Sequence, residues 1–400
     1  MEMMTDLVHY VNSPVVGERK LSLSAGLYVH VPFCVRKCGY CAFYSVPSLA
    51  LRTRWLGALD REIARRAQPN LACDSVFLGG GTPSLLEPGE VAGILHALRR
   101  SFRLLEGAEV TLEANPGTVD LGKLAGFLSA GVNRLSIGAQ SFDDEDLEFL
   151  GRIHRSDDVR RGFEAARAAG FENVGLDLIY GLPVRDRDHW NCQMEQAAAL
   201  GPEHLSCYAL SFEEGTALGK LLAEGRIAPP EEEEARDLFL HTRRRLEELG
   251  YAFYEVSNFA RSSGLRCRHN LKYWFGAPYL GFGPAAHSFQ PPVRSWNAPD
   301  VEAYVSALEA AGDPPGGSEI LTSAQRALEC LFLGLRTVEG ADLDAIEALV
   351  PGFGARNEGS IRRIEREGLG RRSGARLALS PDGLAIADSL PHLFDLSSGS

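Results

Sequence analysis

The sequence predicts an α/β fold: an open, partial (βα)6 barrel of the TIM type, followed by a small helical, winged-helix-like domain. Apolar runs typical of strands alternate with amphipathic segments typical of helices between residues 27 and 208. This alternation predicts a parallel sheet with right-handed crossovers. Six units are too few to close an eight-stranded barrel, so the barrel is expected to stay open. Polar motifs follow several of the runs, where barrel proteins gather their functional residues.

Six runs have the length and composition of strands: 27–31, 75–78, 109–113, 134–137, 173–179 and 204–208. Five amphipathic segments lie between them and are predicted to be helices: 51–67, 91–102, 121–130, 157–169 and 189–200. Residues 229–250 predict a long charged helix, with its acids first and its arginines last, as the helix dipole favours. Residues 252–256 are expected to add one more strand.

The chain is expected to divide into a lead-in (1–26), a barrel core (27–230), a barrel extension (231–310) and a C-terminal domain (318–394). The Pro- and Gly-rich sequence AGDPPGG at 311–317 is typical of a linker between the last two. Three helical segments and a strand at 376–379 predict the winged-helix-like unit.

Composition excludes several classes of protein. The 400 residues carry a formal net charge of −12, and the pI is about 5.4, which disfavours general nucleic-acid binding. No apolar run approaches the ~18 residues that cross a bilayer, and the first residues show no signal-peptide pattern. Peripheral membrane contact stays open. Three clustered and five scattered cysteines are typical of a cytoplasmic cofactor protein, and we expect a cytoplasmic location.

The clustered cysteines, Cys34, Cys38 and Cys41, follow the first predicted strand at intervals of four and three residues. Thiolates bind iron–sulfur clusters and zinc. Three of them can hold three irons of a [4Fe–4S] cluster and leave the fourth iron open to the amine and carboxylate of an amino acid. Two alternatives remain: three cysteines on one face of a buried helix, and a zinc site with His30 as fourth ligand.

Further polar residues fall near the ends of the next strands. The glycine run at 79–81 follows the second strand and would let the backbone approach a ligand closely. Four charged or amide residues follow in order along the chain: Glu113, Gln140, Arg152 and Asp177. A carboxylate inside an apolar strand is costly to bury without a partner. Salt bridges would explain these residues singly, whereas their common position favours a polar ligand.

The spacing CxxxCxxC followed by GGGTPS resembles the radical S-adenosylmethionine (SAM) superfamily. The segments YVHVPFC, NRLSIGAQSF, GRIH and DLIYGLP resemble its oxygen-independent coproporphyrinogen III oxidase group, closely over residues 27–290 and loosely beyond. The resemblance implies one [4Fe–4S] cluster held by Cys34, Cys38 and Cys41. It also implies a SAM site lined by Tyr28, Tyr40, Gly80, Gly81, Thr82, Glu113, Gln140, Arg152, Asp177 and Ala209. Arg152 suits the carboxylate of SAM.

Two departures separate the sequence from the decarboxylating oxidases of this group. Those oxidases resemble CxxxCxxCxC, whereas Phe43 stands at the last position here, and their N-terminal extension is longer than this lead-in. The segment HNLKYW at 269–274 resembles the HNxxYW signature of a heme-chaperone branch. His269 is the first candidate for a heme ligand, with His287 and Tyr273 in reserve. A simple His-Asn turn over a packed Tyr-Trp pair is the alternative.

The resemblance therefore implies a heme chaperone that binds a [4Fe–4S] cluster, SAM and heme, and delivers heme to acceptor hemoproteins such as respiratory ones. No nucleic-acid partner is expected. Two other functions are weighed: an oxygen-independent coproporphyrinogen III oxidase, and a related SAM-dependent methylase or heme-opening enzyme. Phe43 and HNLKYW weigh against the first and, less firmly, against the second.

Overall fold

The computed structural model describes residues 24–397. Six neighbouring strands of its main sheet run parallel: Ala25–Val31 (β1), Gln68–Gly80 (β2), Phe102–Ala114 (β3), Arg134–Gln140 (β4), Val174–Tyr180 (β5) and His204–Ala209 (β6). The crossovers between them contain the helices Arg52–Arg65 (α1), Pro88–Ser101 (α2), Leu121–Ala130 (α3), Asp144–Phe149 (α4), Ser156–Ala168 (α5) and Arg187–Leu200 (α6). β6 does not pair with β1, so the six strands do not close into a complete barrel. This agrees with the predicted open (βα)6 barrel.

The barrel strands read as nearly continuous apolar runs, as expected of a parallel sheet that is covered on both faces. In β1 and in β5, six of seven residues are buried. The exceptions are Tyr28 and Asp177, which line the hollow interior of the barrel. A single polar residue in an apolar strand therefore marks the functional side of the sheet.

The residues after β6 flank the barrel on both sides. Helices Ala217–Ala223 (α7) and Glu232–Glu248 (α8) precede Ala252–Glu255 (β7) and Asn258–Ala260 (β8), which extend the sheet beside β6. Helix Arg268–Trp274 (α9) precedes Tyr279–Phe282 (β9), which runs parallel to β1. His287–Gln290 (β10), Val293–Asn297 (β11) and Gly316–Ile320 (β12) continue antiparallel, with Val301–Glu309 (α10) between the last two.

The predicted linker at 311–317 runs into β12. Gly316 pairs with Asn297 and Gly317 with Trp296, so these glycines are part of the edge of the sheet. The predicted lead-in at 1–26 lies outside the described residues except for its last three. Among the helices that the structure describes, none combines the length and the apolarity needed to cross a membrane.

The C-terminal domain has its own core. Its helices are Ser323–Gly334 (α11), Leu343–Leu349 (α12), Phe353–Arg366 (α13) and Pro381–Leu384 (α14). A small antiparallel sheet places Arg376–Leu379 (β15) between Ala341–Asp342 (β13) and Gly370–Ser373 (β14). Helices and wing-like strands agree with the predicted winged-helix-like unit. An Arg266–Glu339 ion pair of 2.5 Å ties the domain to the barrel extension.

Candidate cofactor site at the mouth of the barrel

The three clustered cysteines lie on the cysteine loop, the segment 32–51 between β1 and α1, which contains no helix. Cys34 is buried, Cys38 and Cys41 are half-buried, and all three are free thiols. The alternative of three cysteines on a buried helix is therefore wrong. Burial, and then the charges of Cys38 and Cys34, raise the pKa of Cys41, so the three sulfurs are electrostatic neighbours.

Backbone hydrogen bonds fix the shape of the cysteine loop. At its base, the amide of Val46 donates to the carbonyl of Pro32 over 2.7 Å. In its middle, the amide of Gly39 donates to the carbonyl of Leu150 over 3.0 Å, and the carbonyl of Gly39 accepts from the amide of Leu218 over 2.9 Å. The loop is thus held by the segments that follow α4 and β6.

His30 does not join the cysteines. Its Nδ1 lies 3.1 Å from the Tyr28 hydroxyl, and its Nε2 lies 2.8 Å from the carbonyl oxygen of Tyr44. A carbonyl only accepts, so Nε2 carries the proton and Nδ1 accepts from the tyrosine. Within residues 24–397, no three His, Cys, Asp or Glu side chains converge as ligands of one metal ion. Both ring nitrogens of His30 are engaged, which argues against His30 as the fourth ligand of a zinc ion.

Arg152 reaches from the end of the α4 segment to the cysteine loop. Its Nη2 donates to the carbonyl of Gly138 over 2.8 Å, and its Nη1 lies 3.5 Å from Cys38 Sγ and 3.4 Å from the Tyr40 hydroxyl. Its Nε is buried and has no hydrogen-bond partner among the described residues. An unpaired buried donor is costly, most of all on a charged group. This nitrogen is placed to receive an acceptor such as a carboxylate.

The upper cavity, of about 500 Å³, opens beside Cys41 at the carboxyl ends of the barrel strands. Nine of the ten residues predicted for the SAM site line it: Tyr40, Gly80, Gly81, Thr82, Glu113, Gln140, Arg152, Asp177 and Ala209. A pocket of this size is in the range that encloses a nucleoside-sized cofactor. The sequence motifs thus meet around one space.

Two carboxylates form the inner wall of the upper cavity. Glu113 accepts from the amide of Gly80 over 3.1 Å, and Asp177 accepts from the Ser136 hydroxyl over 3.0 Å. Burial, and then the charge of Asp177, raise the pKa of Glu113 to about 8. Burial also raises the pKa of Asp177. At neutral pH Glu113 is therefore largely protonated, and a cationic ligand beside it would favour its carboxylate form.

Gln140 ends β4 with a φ of +66°, a conformation that few residues other than glycine adopt. The pairing of β4 with β5 is irregular between Ile137 and Gln140. Its amide Nε2 lies against Gly138, where an added Cβ would be 3.0 Å away. Backbone strain of this kind concentrates at functional sites, and here it lies on the cavity wall.

The glycine run lines the upper cavity and also makes room for the end of β1 and the start of the cysteine loop. Gly80 has a φ of +105°, and a Cβ there would lie 2.5 Å from Cε1 of His30. A Cβ on Gly81 would lie 2.5 Å from the carbonyl oxygen of Phe33. The amide of Thr82 donates to the same carbonyl over 2.7 Å. The glycines thus allow two protein segments to approach each other, and the predicted approach of their backbone to a ligand stays a prediction.

The lower cavity, of about 310 Å³, lies deeper in the barrel. Tyr28 and His269, the two remaining predicted residues, line this cavity and are absent from the wall of the upper one. Phe43, Glu113 and Asp177 line both cavities, so the two are adjacent. The predicted contact of Tyr28 with SAM has no counterpart in the geometry of the upper cavity.

His269 lies on α9 and is only 1% exposed. Its Nδ1 lies 3.0 Å from the Ser75 hydroxyl, and its Nε2 lies 2.9 Å from the Tyr273 hydroxyl. Burial lowers the pKa of His269 to about 3. Both ring nitrogens are engaged, which argues against the hypothesis that His269 ligates heme iron. The reserve candidate Tyr273 is engaged in the same bond, whereas His287 is exposed.

Several residues at the site were not predicted. Asn115, Ser136 and Tyr208 line the upper cavity. His154 is buried beside it, with Nε2 3.1 Å from the carbonyl of Ala139 and Nδ1 3.1 Å from Asn115 Oδ1, and so joins the ends of β3 and β4. The period of two along β4 would have indicated Ser136, and the motif GRIH contains His154. No pattern marks Tyr208.

Comparison with known proteins shows the family. Residues 28–191 match the Radical SAM superfamily, and residues 321–386 match the HemN C-terminal domain. The chain is 36% identical over 320 residues to the heme chaperone HemW of Bacillus subtilis (strain 168), covering 78% of this chain and 83% of that protein. It is 35% identical over 371 residues to HemW of Mycobacterium tuberculosis (strain ATCC 25618 / H37Rv), covering 91% and 93%. The chain belongs to the HemW family of radical SAM proteins.

The solved structure of Escherichia coli HemN, a coproporphyrinogen III oxidase described as a radical SAM enzyme, shows the same fold. It is 23% identical, with a TM-score of 0.78, over 93% of this chain and 90% of that one. The predicted fold and family are confirmed. Membership of the superfamily implies a [4Fe–4S] cluster and SAM. Three free cysteines on one loop, with Cys41 and Arg152 on the wall of the upper cavity, fit both groups.

Proposed function

We propose that the protein is a heme chaperone that holds a [4Fe–4S] cluster through Cys34, Cys38 and Cys41, binds SAM in the upper cavity, and delivers heme to acceptor hemoproteins. The match to proteins named heme chaperone HemW, over most of both chains, carries this proposal. The cavity beside the cysteine loop supports the cofactor assignment.

The chain's own residues divide the work of holding SAM. Arg152 offers its guanidinium to the carboxylate of the methionine moiety, because its Nη1 lies beside Cys38 and its Nε has no partner in the described residues. Glu113 and Asp177 face the same space and suit the amine or the ribose hydroxyls. When bound, the cluster supplies an open iron that an amine and a carboxylate can chelate. Phe43 stands at the mouth with 65% of its surface exposed.

The oxidase alternative lacks a specific observation in its favour. Phe43 occupies the position of the fourth cysteine of the decarboxylating oxidases and cannot bind metal. The likeness to HemN concerns the fold alone, at 23% identity. For a methylase or heme-opening activity, no residue that lines the two cavities gives specific support.

Location and partners follow the same proposal. All eight cysteines are free, as expected in the cytoplasm, where thiols stay reduced. The basic surface of α13 and the wing is largely neutralised, since Arg362 pairs with Glu358 and Arg363 with Glu367. This pairing leaves little free positive charge there for nucleic acid, and the heme-accepting partners are proposed from the name of the relatives.

The test combines delivery and turnover. Anaerobically reconstituted protein is loaded with heme, separated from free heme, and mixed with an apo-b-type cytochrome, whose absorbance reports the transfer. A parallel sample receives SAM, reductant and coproporphyrinogen III, and its porphyrins are followed by mass. We expect heme transfer and no protoporphyrinogen IX. More than a few turnovers of decarboxylation, or a loaded protein that transfers nothing, would refute the chaperone function.

A further inference from the structure

The segment HNLKYW, which resembles a heme signature, is built into the base of the barrel. The buried carboxylate of Glu109 accepts from the amides of Arg268 and His269 over 3.0 Å each, which caps the start of α9. Lys272 is 6% exposed and donates to the carbonyl of Ser24 over 2.9 Å, at the start of β1. A Cβ on Gly26 would lie 3.0 Å from the His269 ring. The helix is therefore packed directly against β1.

The His269 ring continues this packing toward Tyr28. Its centroid lies 5.3 Å from that of Phe77 and 6.4 Å from that of Tyr28, with interplanar angles of 29° and 30°. The two hydrogen bonds to Ser75 and Tyr273 fix the rotation of the imidazole. The Tyr28 ring therefore packs beside an imidazole whose orientation is fixed.

From Tyr28 a directed chain of hydrogen bonds leads to the cysteine loop. The Tyr28 hydroxyl donates to His30 Nδ1, and His30 Nε2 donates to the carbonyl of Tyr44, three residues beyond Cys41. The Tyr44 hydroxyl in turn accepts from the amide of Val301 over 2.8 Å. His30 also supports the glycine run, because Gly80 lies directly against its ring. The His30 imidazole therefore contacts both the cysteine loop, at Tyr44, and the glycine run, at Gly80.

We propose that His269 is a positioning residue for the cluster and SAM site: through Tyr28 and His30 it fixes the position of Tyr44 in the cysteine loop and of the glycine run. The family signature then serves the cofactor site at the mouth of the barrel, and a heme iron is not its target. The inference rests on the cluster binding proposed above, and it does not depend on heme delivery.

The test measures SAM affinity and the EPR spectrum of the reduced cluster, with and without SAM, in full-length reconstituted protein. His269→Ala should keep its iron but bind SAM about 10- to 100-fold more weakly, the range for residues that orient ligands of a metal. The change that SAM causes in the EPR signal should be reduced in the same variant. His269→Gln, whose amide both donates and accepts, should restore most of the affinity.

A second variant keeps the inference testable if His269→Ala fails to fold. Tyr28→Phe retains the ring and removes the hydroxyl that donates to His30 Nδ1, so it should reproduce the loss of SAM affinity. Tyr251→Phe is the matched control: Tyr251 is also buried, and its hydroxyl donates to the carbonyl of Pro202, outside this chain of contacts. It should bind SAM as the wild type does.

Wild-type SAM affinity and EPR signals in both Tyr28→Phe and His269→Ala would overturn the positioning role, as would an equal loss in Tyr251→Phe. Heme transfer is measured in the same preparations. Failure of the wild type to transfer heme would count against the chaperone function and leave the result on His269 unaffected.

Discussion

The mouth and the base of the barrel use similar residues in opposite ways. At the mouth, Arg152 has an unpaired Nε, Gln140 is strained, and Glu113 has a raised pKa. At the base, the His269 imidazole has both nitrogens in hydrogen bonds, and Glu109 is saturated by the amides of α9. Unsatisfied polar groups are tolerated where a ligand completes them, and satisfied ones build rigid supports. The difference between Arg152 and His269 favours ligand binding at the mouth and support at α9.

The largest effect is expected at the cysteine loop. Replacing Cys34, Cys38 and Cys41 by alanine removes every thiolate of the cluster site, so iron should fall from about four per chain to nearly none. The charge-transfer absorption at about 400 nm, typical of such clusters, should be lost as well. Cys192→Ala is the control, because this thiol is exposed on α6 and should not affect iron content. A triple variant with full iron would place the cluster among the other cysteines.

The next effect concerns the unpaired donor at the mouth. Arg152→Ala should weaken SAM binding by about 1.5–3 kcal/mol, the range for a hydrogen bond to a charged group. Calorimetry on cluster-loaded protein measures it. Arg155→Ala, which removes an exposed arginine three residues along the chain, should leave the affinity as it is. An unchanged affinity in Arg152→Ala would make this arginine a structural partner of Gly138 and Tyr40.

The third prediction separates packing from ligand contact in the glycine run. Gly80→Ala should destabilise the fold by about 1–3 kcal/mol, since it forces a side chain onto a positive φ and against the His30 ring. The denaturant midpoint of unfolding reports this loss. Gly93→Ala in α2 meets no atoms within 4 Å and should be neutral or stabilising. Unchanged stability together with weaker SAM binding would show that Gly80 acts mainly through contact with the ligand.

Local sequence signals predict part of the fold and of the site. The six parallel strands follow from their apolar runs, and the cysteine loop follows from its spacing, because both signals are local. Strands β8 to β12 could not be predicted, since each has only three to five residues. The motif HNLKYW gives the types of residue, but it does not show that His269 and Lys272 are buried. The cap on α9 comes from Glu109, more than a hundred residues earlier, and long-range contacts of this kind leave no local pattern.

A smaller effect is expected from pH. The raised pKa of Glu113 means that the folded state prefers the protonated acid, so stability is greatest below the ordinary carboxyl pKa and falls as pH rises through about 8. Between about pH 6 and 8, SAM-free protein should lose on the order of 1 kcal/mol, allowing for solvent in the cavity. Unfolding of Glu113→Gln should show a smaller slope, because Glu255, whose pKa burial raises to about 7, still contributes. The same slope in wild type and variant would assign it to other groups.

The measurement that tests the contrast between mouth and base most directly is the spectrum of bound heme in His269→Ala. Heme-loaded wild type and variant are compared by resonance Raman spectroscopy and by Soret difference spectra against the same cluster-loaded, heme-free proteins. Because both nitrogens of His269 are engaged inside the barrel, we predict the same iron coordination and the same Soret position in the two proteins. A shifted Soret band with loss of an axial nitrogen ligand in the variant would show that His269 binds the heme iron, and would contradict the account.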